Sequence, residues 1–426
     1  MIKRALVTVL AAAGLALTAS APALAAQPYP INFKNFPLGS YASVSGTTVS
    51  GGTATLASTG LGSFTYTDPF ANYSGDGADG SGPYQSGSWT SPDKPVSFGF
   101  NELVASWNAT TPDGTWIQVE MQPKMLDGHW AKWYILGRWS SSDGDFHRTS
   151  VGGQGDADGF VSIDTFFAKD HVAVAYRLRV TLFRRDGSSA SPTLTRLSAV
   201  AMNLTNQKNT FPSRTDGTTG DLNLPTYSQE IHHGDFPQYD NGGEAWCSPT
   251  STSMVVRYWG LAYQPTPAEY QWVTDELGAT HNDPWVDFTA RAVYDYHYNG
   301  AGNWPFNAAY AASRGLVADV AALHNLREAE PYIQAGVPLV ASVAWNSNKL
   351  EGGIKSTNGH LMAIGGFTAG GNVIAYDPAS DTDAQVRHVY DREQFERAWI
   401  PASGGIVYVI RTAGTNLDSL LTANNS

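Results

Sequence analysis

Short stretches of alternating apolar and polar residues dominate the first half of the chain. Residues 116–122 (WIQVEMQ) and 176–182 (YRLRVTL) alternate with a period of two, and 96–100 and 133–136 are short apolar runs. Gly, Ser, Asp and Pro separate these runs, and no helical period persists for three turns. The pattern is typical of short antiparallel strands, so residues 27–205 are predicted to form an all-β sandwich.

The periodicity is lost over residues 206–223, where Asn, Thr, Asp, Gly and Pro dominate. This composition is typical of a linker. A second domain is predicted over residues 224–412, and the polar residues 413–426 are expected to form a flexible tail.

The second domain begins with helical patterns and ends with strand patterns. A capping box at Thr266 and Glu269, with Pro at the first helical position, precedes the second of its helices. The predicted helices are 248–259, 267–277, 286–296, 306–314 and 326–335. The predicted strands are 339–345, 360–367, 373–376 and 406–410. Helices followed by strands give an α+β order, so the predicted fold class is α+β, with an all-β sandwich in front.

The first 26 residues have the pattern of a secretory signal peptide. Lys3 and Arg4 precede an apolar run at 5–17, which is too short to span a membrane, and a small-x-small sequence follows at 23–25. We therefore expect cleavage near Ala25 and export of the mature protein. No later stretch reaches about 18 uninterrupted apolar residues, so no membrane span is expected.

Charge and composition narrow the classes of partner. Of the 426 residues, 26 are Lys or Arg and 38 are Asp or Glu, which gives a formal net charge of −12. The sequence has no Lys/Arg-rich run, so binding to nucleic acid or to an anionic membrane surface is not expected. Hydrophobic residues make up 42% of the chain, which is enough for packed cores and excludes global disorder.

The chain contains a single cysteine, Cys247, so no intramolecular disulfide can form. Free cysteines are commonly buried and inert. Cys247, however, directly precedes the helix predicted at 248–259, and the positive end of a helix dipole stabilises a thiolate. Its position therefore favours a reactive nucleophile.

A thiolate nucleophile needs a histidine partner. Among the five histidines that follow Cys247, His360 is favoured because it follows a flexible Asn-Gly pair and opens an apolar strand. The next strand ends at Asp377, whose carboxylate could fix the tautomer of the histidine ring. A solvated histidine and an ordinary Asp-Pro turn are the alternatives for each residue taken alone. The chain order Cys–His–Asp favours a catalytic set.

The sequence around these residues resembles papain-like cysteine peptidases, specifically the bacteriocin-processing (double-glycine) peptidase family and its secreted, stand-alone relatives. The matching segments span the second domain and are PTYSQ at 225–229, WCSPTS at 246–251, MVVRYWG at 254–260, GHL at 359–361 and DP at 377–378. Ser248 stands where this family usually has a glycine after the cysteine, and it supplies the same backbone N–H.

The resemblance implies a papain-like fold and a Cys247–His360–Asp377 triad that needs no metal or organic cofactor. It also implies that an upstream glutamine and the Cys247 backbone N–H together hold the oxyanion. Gln229 follows the family-like pattern, whereas Gln238 lies nearer to Cys247 in sequence; we favour Gln229. The implied reaction is hydrolysis of peptide bonds in a protein or peptide substrate through a thioester.

Two other functions are compatible with the sequence. One is a papain-like amidase that acts on cell-wall peptides, although the residues beside Cys247 lack the Asp-Cys-Ser signature of those enzymes. The other is a non-catalytic protein that binds cell wall or polysaccharide through its N-terminal domain, which an intact Cys–His–Asp set disfavours. Exposed tryptophans could stack on sugars, but Trp116 and Trp133 lie in alternating strands and are expected in the core. The sandwich tryptophans are Trp89, Trp107, Trp116, Trp130, Trp133 and Trp139.

Two short segments have partial metal-ligand character. HHGD at 232–235 has no second ligand cluster beside it in the sequence, so an exposed loop is expected there. DADG at 156–159 resembles a fragment of a calcium loop but lacks the later ligands, so a turn is expected. No metal site is predicted.

Overall fold

The computed structural model describes residues 28–71, 73, 78–346 and 349–426. The signal peptide predicted at 1–26 lies outside these described residues. Among the described residues, the helices are too short or too polar to cross a membrane.

The N-terminal domain is a sandwich of two antiparallel sheets with seven strands each. One sheet has the order β11-β12-β8-β14-β4-β3 with β1 beside β14, and the other has the order β10-β9-β13-β6-β2 with β5 beside β6 and β7 beside β13. The strands are β1 (Ile31–Asn35), β2 (Ser43–Ser45), β3 (Thr47–Ser50), β4 (Thr53–Leu56), β5 (Gly62–Tyr66), β6 (Gly82–Thr90), β7 (Lys94–Phe100), β8 (Glu102–Thr110), β9 (Thr115–Met125), β10 (Tyr134–Trp139), β11 (Gly159–Ser162), β12 (Thr165–Ala168), β13 (Ala173–Arg185) and β14 (Thr193–Met202).

The alternating sequence of β13 sets the register of the second of these sheets. Val180 of β13 lies opposite Val119 of β9, and both side chains are fully buried. Arg177 and Arg179 alternate with the apolar residues of β13 and are partly exposed. A shift of one residue would exchange these two faces, so the burial of one face fixes the pairing.

The C-terminal domain has helices on a third seven-stranded antiparallel sheet, with the order β16-β21-β17-β18-β19-β20 and β15 beside β18. Its strands are β15 (Gly220–Asp221), β16 (Val317–Ala322), β17 (Leu339–Trp345), β18 (Thr357–Phe367), β19 (Val373–Tyr376), β20 (Arg387–Tyr390) and β21 (Ile406–Arg411). Its helices are α1 (Cys247–Tyr258), α2 (Gln271–Leu277), α3 (Pro284–Val293), α4 (Trp304–Ser313), α5 (Leu326–Gln334), α6 (Arg392–Ser403) and α7 (Asp418–Thr422), and short 3₁₀ helices occur at Glu230–His232, Gly243–Ala245 and Asp383–Gln385. The predicted α+β class with an N-terminal sandwich is confirmed.

Helix α2 starts later than its capping box suggests. The Thr266 backbone N–H donates to the Glu269 carboxylate at 2.8 Å, which is one half of a capping box. The Thr266 hydroxyl donates to the same carboxylate at 2.8 Å, whereas a complete box would have it accept from the Glu269 backbone N–H. Arg314, which directly follows α4, also binds the Glu269 carboxylate, at 2.5 Å. Residues 267–270 form turns, and α2 begins only at Gln271. The Glu269 carboxylate, which the capping-box pattern assigns to the start of α2, is therefore held by a tertiary contact with Arg314.

The segment predicted as a linker lies along the C-terminal domain. The backbone N–H of Ser213 donates to Glu396 at 2.7 Å, and that of Asp216 donates to Glu330 at 2.6 Å. Strand β15 then pairs with β18. Polar composition here reflects hydrogen bonding to buried carboxylates.

The tail at 413–426, expected to be flexible, packs on the sandwich instead. The Asn425 side chain donates to the Phe33 carbonyl at 2.9 Å and accepts from the Phe33 N–H at 2.6 Å. The Ser426 N–H donates to the Ile31 carbonyl at 2.9 Å. Leu417 and Leu421 are buried, and these two apolar residues in a polar segment are the physical reason that the tail docks.

One apolar core continues from the sandwich into the C-terminal domain. Phe306 of α4 packs edge-on to Trp107 of β8 and tilted against Trp139 of β10, with ring centroids 6.1 and 5.3 Å apart. Beside this contact, Asp319 of β16 accepts from Arg196 of β14 at 2.7 Å. The packing fixes the sandwich against the domain that carries the predicted catalytic residues.

Candidate active site

Cys247 is the first residue of α1, and its side chain is partly exposed. Apart from the cysteine, the first turn of α1 contains the uncharged residues Ser, Pro and Thr, so the positive end of the helix dipole faces the thiol. The Ser251 hydroxyl donates to the Leu361 carbonyl at 3.0 Å, which fixes α1 to β18. The thiol is therefore held at the N-terminal end of a helix that is anchored to the sheet.

His360 and Asp377 come from adjacent strands. Ala363 of β18 lies opposite Tyr376 of β19, so the residue that follows β19 meets the outer part of β18. His360 Nε2 is 2.7 Å from Asp377 Oδ1. Cys247 lines the same cleft as His360 and interacts electrostatically with its imidazole. The three side chains predicted as a triad therefore lie together in the order Cys, His, Asp.

The Asp377 carboxylate is buried and fully hydrogen-bonded. In addition to His360, it accepts from the Tyr390 hydroxyl at 2.7 Å and from the Ala379 backbone N–H at 3.0 Å. Trp345 covers the imidazole edge-on, with ring centroids 6.0 Å apart. The carboxylate and the tryptophan thus fix the orientation of the histidine ring.

The charges of this pair depend on each other. Burial by itself lowers the pKa of His360, but the Asp377 carboxylate and the Cys247 sulfur outweigh it and raise the pKa to about 10. Burial raises the pKa of Asp377, and the His360 charge with the hydrogen bonds to the carboxylate brings that pKa below its ordinary value. The imidazole is therefore held as a cation at neutral pH.

Gln229 lies in the same cleft as Cys247. Its backbone N–H donates to the Pro378 carbonyl at 2.9 Å, and its Nε2 donates to the Glu244 carbonyl at 2.7 Å. A Cβ at Gly243 would lie 2.2 Å from the Gln229 carbonyl oxygen, so this close approach requires glycine. These contacts position the Gln229 side chain within the cleft that contains Cys247.

Gln238, the alternative glutamine, lies elsewhere. Its carbonyl accepts from the Tyr73 hydroxyl at 2.5 Å, and the residue lines a separate cleft with Trp272 and Arg291. The structure therefore brings Gln229 to the Cys247 cleft and leaves Gln238 outside it.

The sandwich forms one wall of the Cys247 cleft, which has a volume of about 600 Å³. The wall is the turn between β11 and β12, where Ile163 adopts a left-handed φ of 57°. The neighbouring Asp164 accepts from the Trp304 N–H at the start of α4 at 2.7 Å, and burial raises the pKa of this aspartate to about 7. Nothing in the local sequence of this turn marks it as part of a site, because its role depends on domain packing.

The HHGD segment is not the exposed loop that we expected. The His232 side chain is buried and lies beside Asp287 of α3, 55 positions further along the chain. His233 is exposed and pairs with Glu244 at 2.7 Å. The local sequence could not reveal the contact with Asp287, since that residue lies in α3.

The DADG segment does form the turn that we expected. Asp156 Oδ1 accepts from the backbone N–H groups of Asp158 and Gly159 at 2.9 and 3.1 Å. Its other carboxylate oxygen pairs with Lys132 at 3.1 Å. These contacts occupy the carboxylate within the fold.

Most of the sandwich tryptophans are buried. Trp89, Trp107, Trp116 and Trp139 are fully buried. Trp133, which we expected in the core, is only partly buried. Its ring packs against the guanidinium of Arg179, which is itself partly exposed and lies 4.2 Å from the ring centroid. The buried rings serve packing, so they cannot stack on sugars.

Two family models match the chain in succession. The model for the peptidase C39 N-terminal domain matches residues 37–202, and the model for the peptidase C39 like family matches residues 221–407. A search of curated proteins gives no match.

Three solved structures show weak similarity. The first, from Bacillus anthracis, is described as a C39-like peptidase; the identity is 16%, the match covers 46% of this chain and 98% of that one, and the TM-score is 0.28. The second contains the CBM22-1 and GH10 modules of endo-1,4-β-D-xylanase 10B of Clostridium thermocellum with xylohexaose. The identity is 8%, the match covers 47% of this chain and 32% of that one, and the TM-score is 0.19. The third concerns carbohydrate-binding modules of the β-sandwich superfamily. The identity is 10%, the match covers 40% of this chain and 56% of that one, and the TM-score is 0.15.

Proposed function

Since the chain belongs to the C39-like peptidase family, we propose that it is an exported cysteine peptidase that uses Cys247, His360 and Asp377. The observation that carries this proposal is the 2.7 Å contact between His360 and Asp377 next to a cysteine at a helix N-terminus. These groups are the nucleophile, acid and orienting carboxylate that amide hydrolysis requires.

In the proposed reaction, the Cys247 thiolate attacks the peptide carbonyl carbon. The oxyanion that forms accepts hydrogen bonds from the Cys247 backbone N–H and from the side-chain amide of Gln229. The His360 imidazolium then protonates the leaving amine, and the acyl group remains on sulfur as a thioester. A water molecule, deprotonated by His360, hydrolyses the thioester, which releases the carboxylic acid product and restores the Cys247 thiolate beside the His360 imidazolium.

The lining of the cleft favours neutral or basic peptides as substrates. Four carboxylic acids line it, whereas its described lining contains no lysine or arginine. Burial raises the pKa values of three of these acids above their ordinary range, and that of Asp164 to about 7. The four are Asp164, Glu230, Asp240 and Glu244. Acidic peptides would be repelled from such a cleft.

The test is cleavage of a pooled peptide library, followed by mass spectrometry. Wild type should cut linear peptides, and Cys247→Ser should lower kcat/KM by at least about 10⁴-fold. His360→Gln should have a comparable effect, whereas the matched control His171→Gln, an exposed sandwich histidine, should keep wild-type activity. Equal cleavage by wild type and Cys247→Ser would overturn the proposal.

Two further assays distinguish the alternatives that the sequence left open. Release of peptides from purified cell wall, without cleavage of linear peptides, would identify a wall amidase with the same nucleophile. Binding to wall or polysaccharide without any cleavage would identify a binding protein. Export is tested separately by sequencing the N-terminus of the protein from culture medium, where the first residue should lie near position 26.

A further inference from the structure

A second group of histidine and aspartate side chains lies beside the segment that carries Gln229. His232 ends the 3₁₀ helix that follows Gln229, and Asp235 comes three residues later. His281 precedes α3, and Asp287 lies within its first turn. One ligand atom of each of the four lies within 4.8 Å of the others. We name His232, Asp235, His281 and Asp287 the His2Asp2 cluster.

The ligand atoms of the His2Asp2 cluster are spaced as around a single ion. His281 Nε2 is 3.0 Å from Asp287 Oδ2 and 3.5 Å from Asp235 Oδ2. His232 Nδ1 is 3.2 Å from Asp287 Oδ2 and 3.6 Å from Asp235 Oδ2. Tetrahedral zinc with bonds of about 2.0 Å places neighbouring ligand atoms about 3.3 Å apart. The four distances lie on both sides of this value.

The ring of His232 has unsatisfied polar atoms. Its side chain is 0% exposed, and neither ring nitrogen makes a hydrogen bond of acceptable geometry to any described residue. Asp287 Oδ1 and Asp235 Oδ2 are in the same condition within the described part of the chain. Buried polar atoms have partners in the great majority of native proteins. The cluster therefore needs either protonated imidazoles or a cation.

The positions of the two imidazoles favour a shared cation. The His232 and His281 rings have centroids 5.3 Å apart, so two imidazolium charges would repel each other at short range. Asp283 lies close enough to interact electrostatically with both rings and adds a third carboxylate to the surroundings. One divalent ion between neutral imidazoles would avoid the repulsion and balance the carboxylates.

We propose that the His2Asp2 cluster is a zinc site of structural type. Two imidazoles and two carboxylates complete a tetrahedral shell without an open position, which is the arrangement of structural rather than catalytic zinc. The Asp235 and His281 side chains are 17% and 14% exposed, which gives the ion a route from solvent. No reaction step passes through this ion.

Zinc at this position would brace the segment of Gln229. The His232 N–H donates to the Gln229 carbonyl at 3.1 Å, and Gly243 packs against both residues. The ion would join this segment to α3 through Asp287. The effect on catalysis rests on the proposed role of Gln229, whereas the metal site itself does not.

The experiment measures zinc content and melting temperature of the full chain. Wild type is treated with EDTA, dialysed and reloaded with zinc chloride, and zinc is then determined by mass spectrometry. We expect one zinc per chain and a melting temperature about 5–10 °C higher when free zinc is near a hundredfold of its Kd. His281→Gln should weaken zinc binding at least about 100-fold, whereas His129→Gln should not. The control is matched because His129 also contacts two aspartates, at 2.6 and 3.0 Å, but lies on the sandwich.

A second variant guards against misfolding. Asp235→Asn changes a partly exposed ligand, so it should retain the wild-type circular dichroism spectrum while it also loses zinc. Cobalt offers a second readout, since a tetrahedral site gives intense visible bands that His281→Gln should abolish. Wild type that takes up less than about 0.1 zinc per chain, or that binds zinc as tightly after His281→Gln, would overturn the site.

Activity separates this inference from the proposed function. Removal of zinc should lower kcat/KM about tenfold with little change in KM, because an oxyanion donor loses its support. Cys247→Ala should bind zinc as wild type does. A chain that binds zinc through His281 but cuts nothing would refute the peptidase proposal and support the metal site.

Discussion

His360 and His232 are both buried histidines that face aspartates, and they differ in how completely their surroundings satisfy them. His360 donates to Asp377, and that carboxylate also binds a tyrosine hydroxyl and a backbone N–H. His232 faces Asp287 at 3.2 Å, but neither of its ring nitrogens makes a well-formed hydrogen bond to a described residue. A complete network positions a proton, whereas an incomplete one leaves buried polar atoms that a bound cation could satisfy.

Gln229 connects the two groups, because it lines the Cys247 cleft and lies three residues before His232. A cleft residue of this kind is held from two sides. Its amide binds Glu244 at 2.7 Å, and its carbonyl accepts from the backbone of His232 at 3.1 Å. The catalytic set and the His2Asp2 cluster are therefore neighbours with separable roles.

The largest effect should follow from breaking the complete network at Asp377. Asp377→Asn removes the charge that stabilises the His360 imidazolium and allows the wrong tautomer. We expect kcat/KM to fall by about 10²–10⁴-fold, measured on the best peptide from the library. Activity within threefold of wild type would mean that the carboxylate serves only packing.

The next largest effect should come from Gln229. Gln229→Ala removes one oxyanion donor, and kcat should fall by about 10²–10³-fold with little change in KM. Gln238→Ala is the matched control, because this glutamine lines a different cleft, and it should change kcat less than twofold. Similar losses in both variants would contradict the assignment of the oxyanion hole.

Loss of the Asp377 partner of His360 should change the pH dependence of kcat/KM, with an effect of about tenfold at high pH. With the pKa of His360 raised to about 10, the alkaline limb of kcat/KM should lie well above pH 6.5. A raised pKa also stabilises the folded state fully below about pH 6.5, and this contribution is lost as the pH rises toward 10. Asp377→Asn should move the alkaline limb to lower pH. An unchanged limb in that variant would show that another group sets it.

The smallest effect is expected for Tyr390→Phe. This change removes the hydroxyl that donates to Asp377 at 2.7 Å but leaves the bond to His360. We expect kcat/KM to fall about 3–10-fold and the free energy of unfolding to fall by about 1–2 kcal/mol, measured by urea titration. Tyr41→Phe, at an exposed tyrosine, should change neither. A loss beyond 100-fold would assign the hydroxyl a part in the chemistry.

Local chemistry made the first group accessible to prediction from sequence. A cysteine directly before a helix, a histidine on a strand and an aspartate at the end of the next strand are all local signals, and the sheet brings the last two together. The α+β class followed from periodicity in the same way. Gln229, which the family-like pattern favoured, lies in the Cys247 cleft, whereas nearness in sequence to Cys247 favoured Gln238.

The second group could not be predicted, because its members belong to separate segments. HHGD supplies only His232 and Asp235, and the remaining ligand candidates stand about 50 residues later. The sandwich turn at Asp164 could not be predicted from the sequence either, because it reaches the cleft only through domain packing. A site that is assembled by tertiary contacts cannot be predicted from periodicity or local motifs.

The docked tail has a mechanical consequence. Asn425 and Ser426 are bonded to β1, so the last residues of the chain lie against one of its first strands. Tension applied between residue 28 and residue 426 would load these few hydrogen bonds before it reached the sheets. We expect a force–extension trace to show an early, weak event as the tail peels away, followed by the rupture of the two fused domains. Truncation before Leu417 should delete the first event and expose the edge of β1.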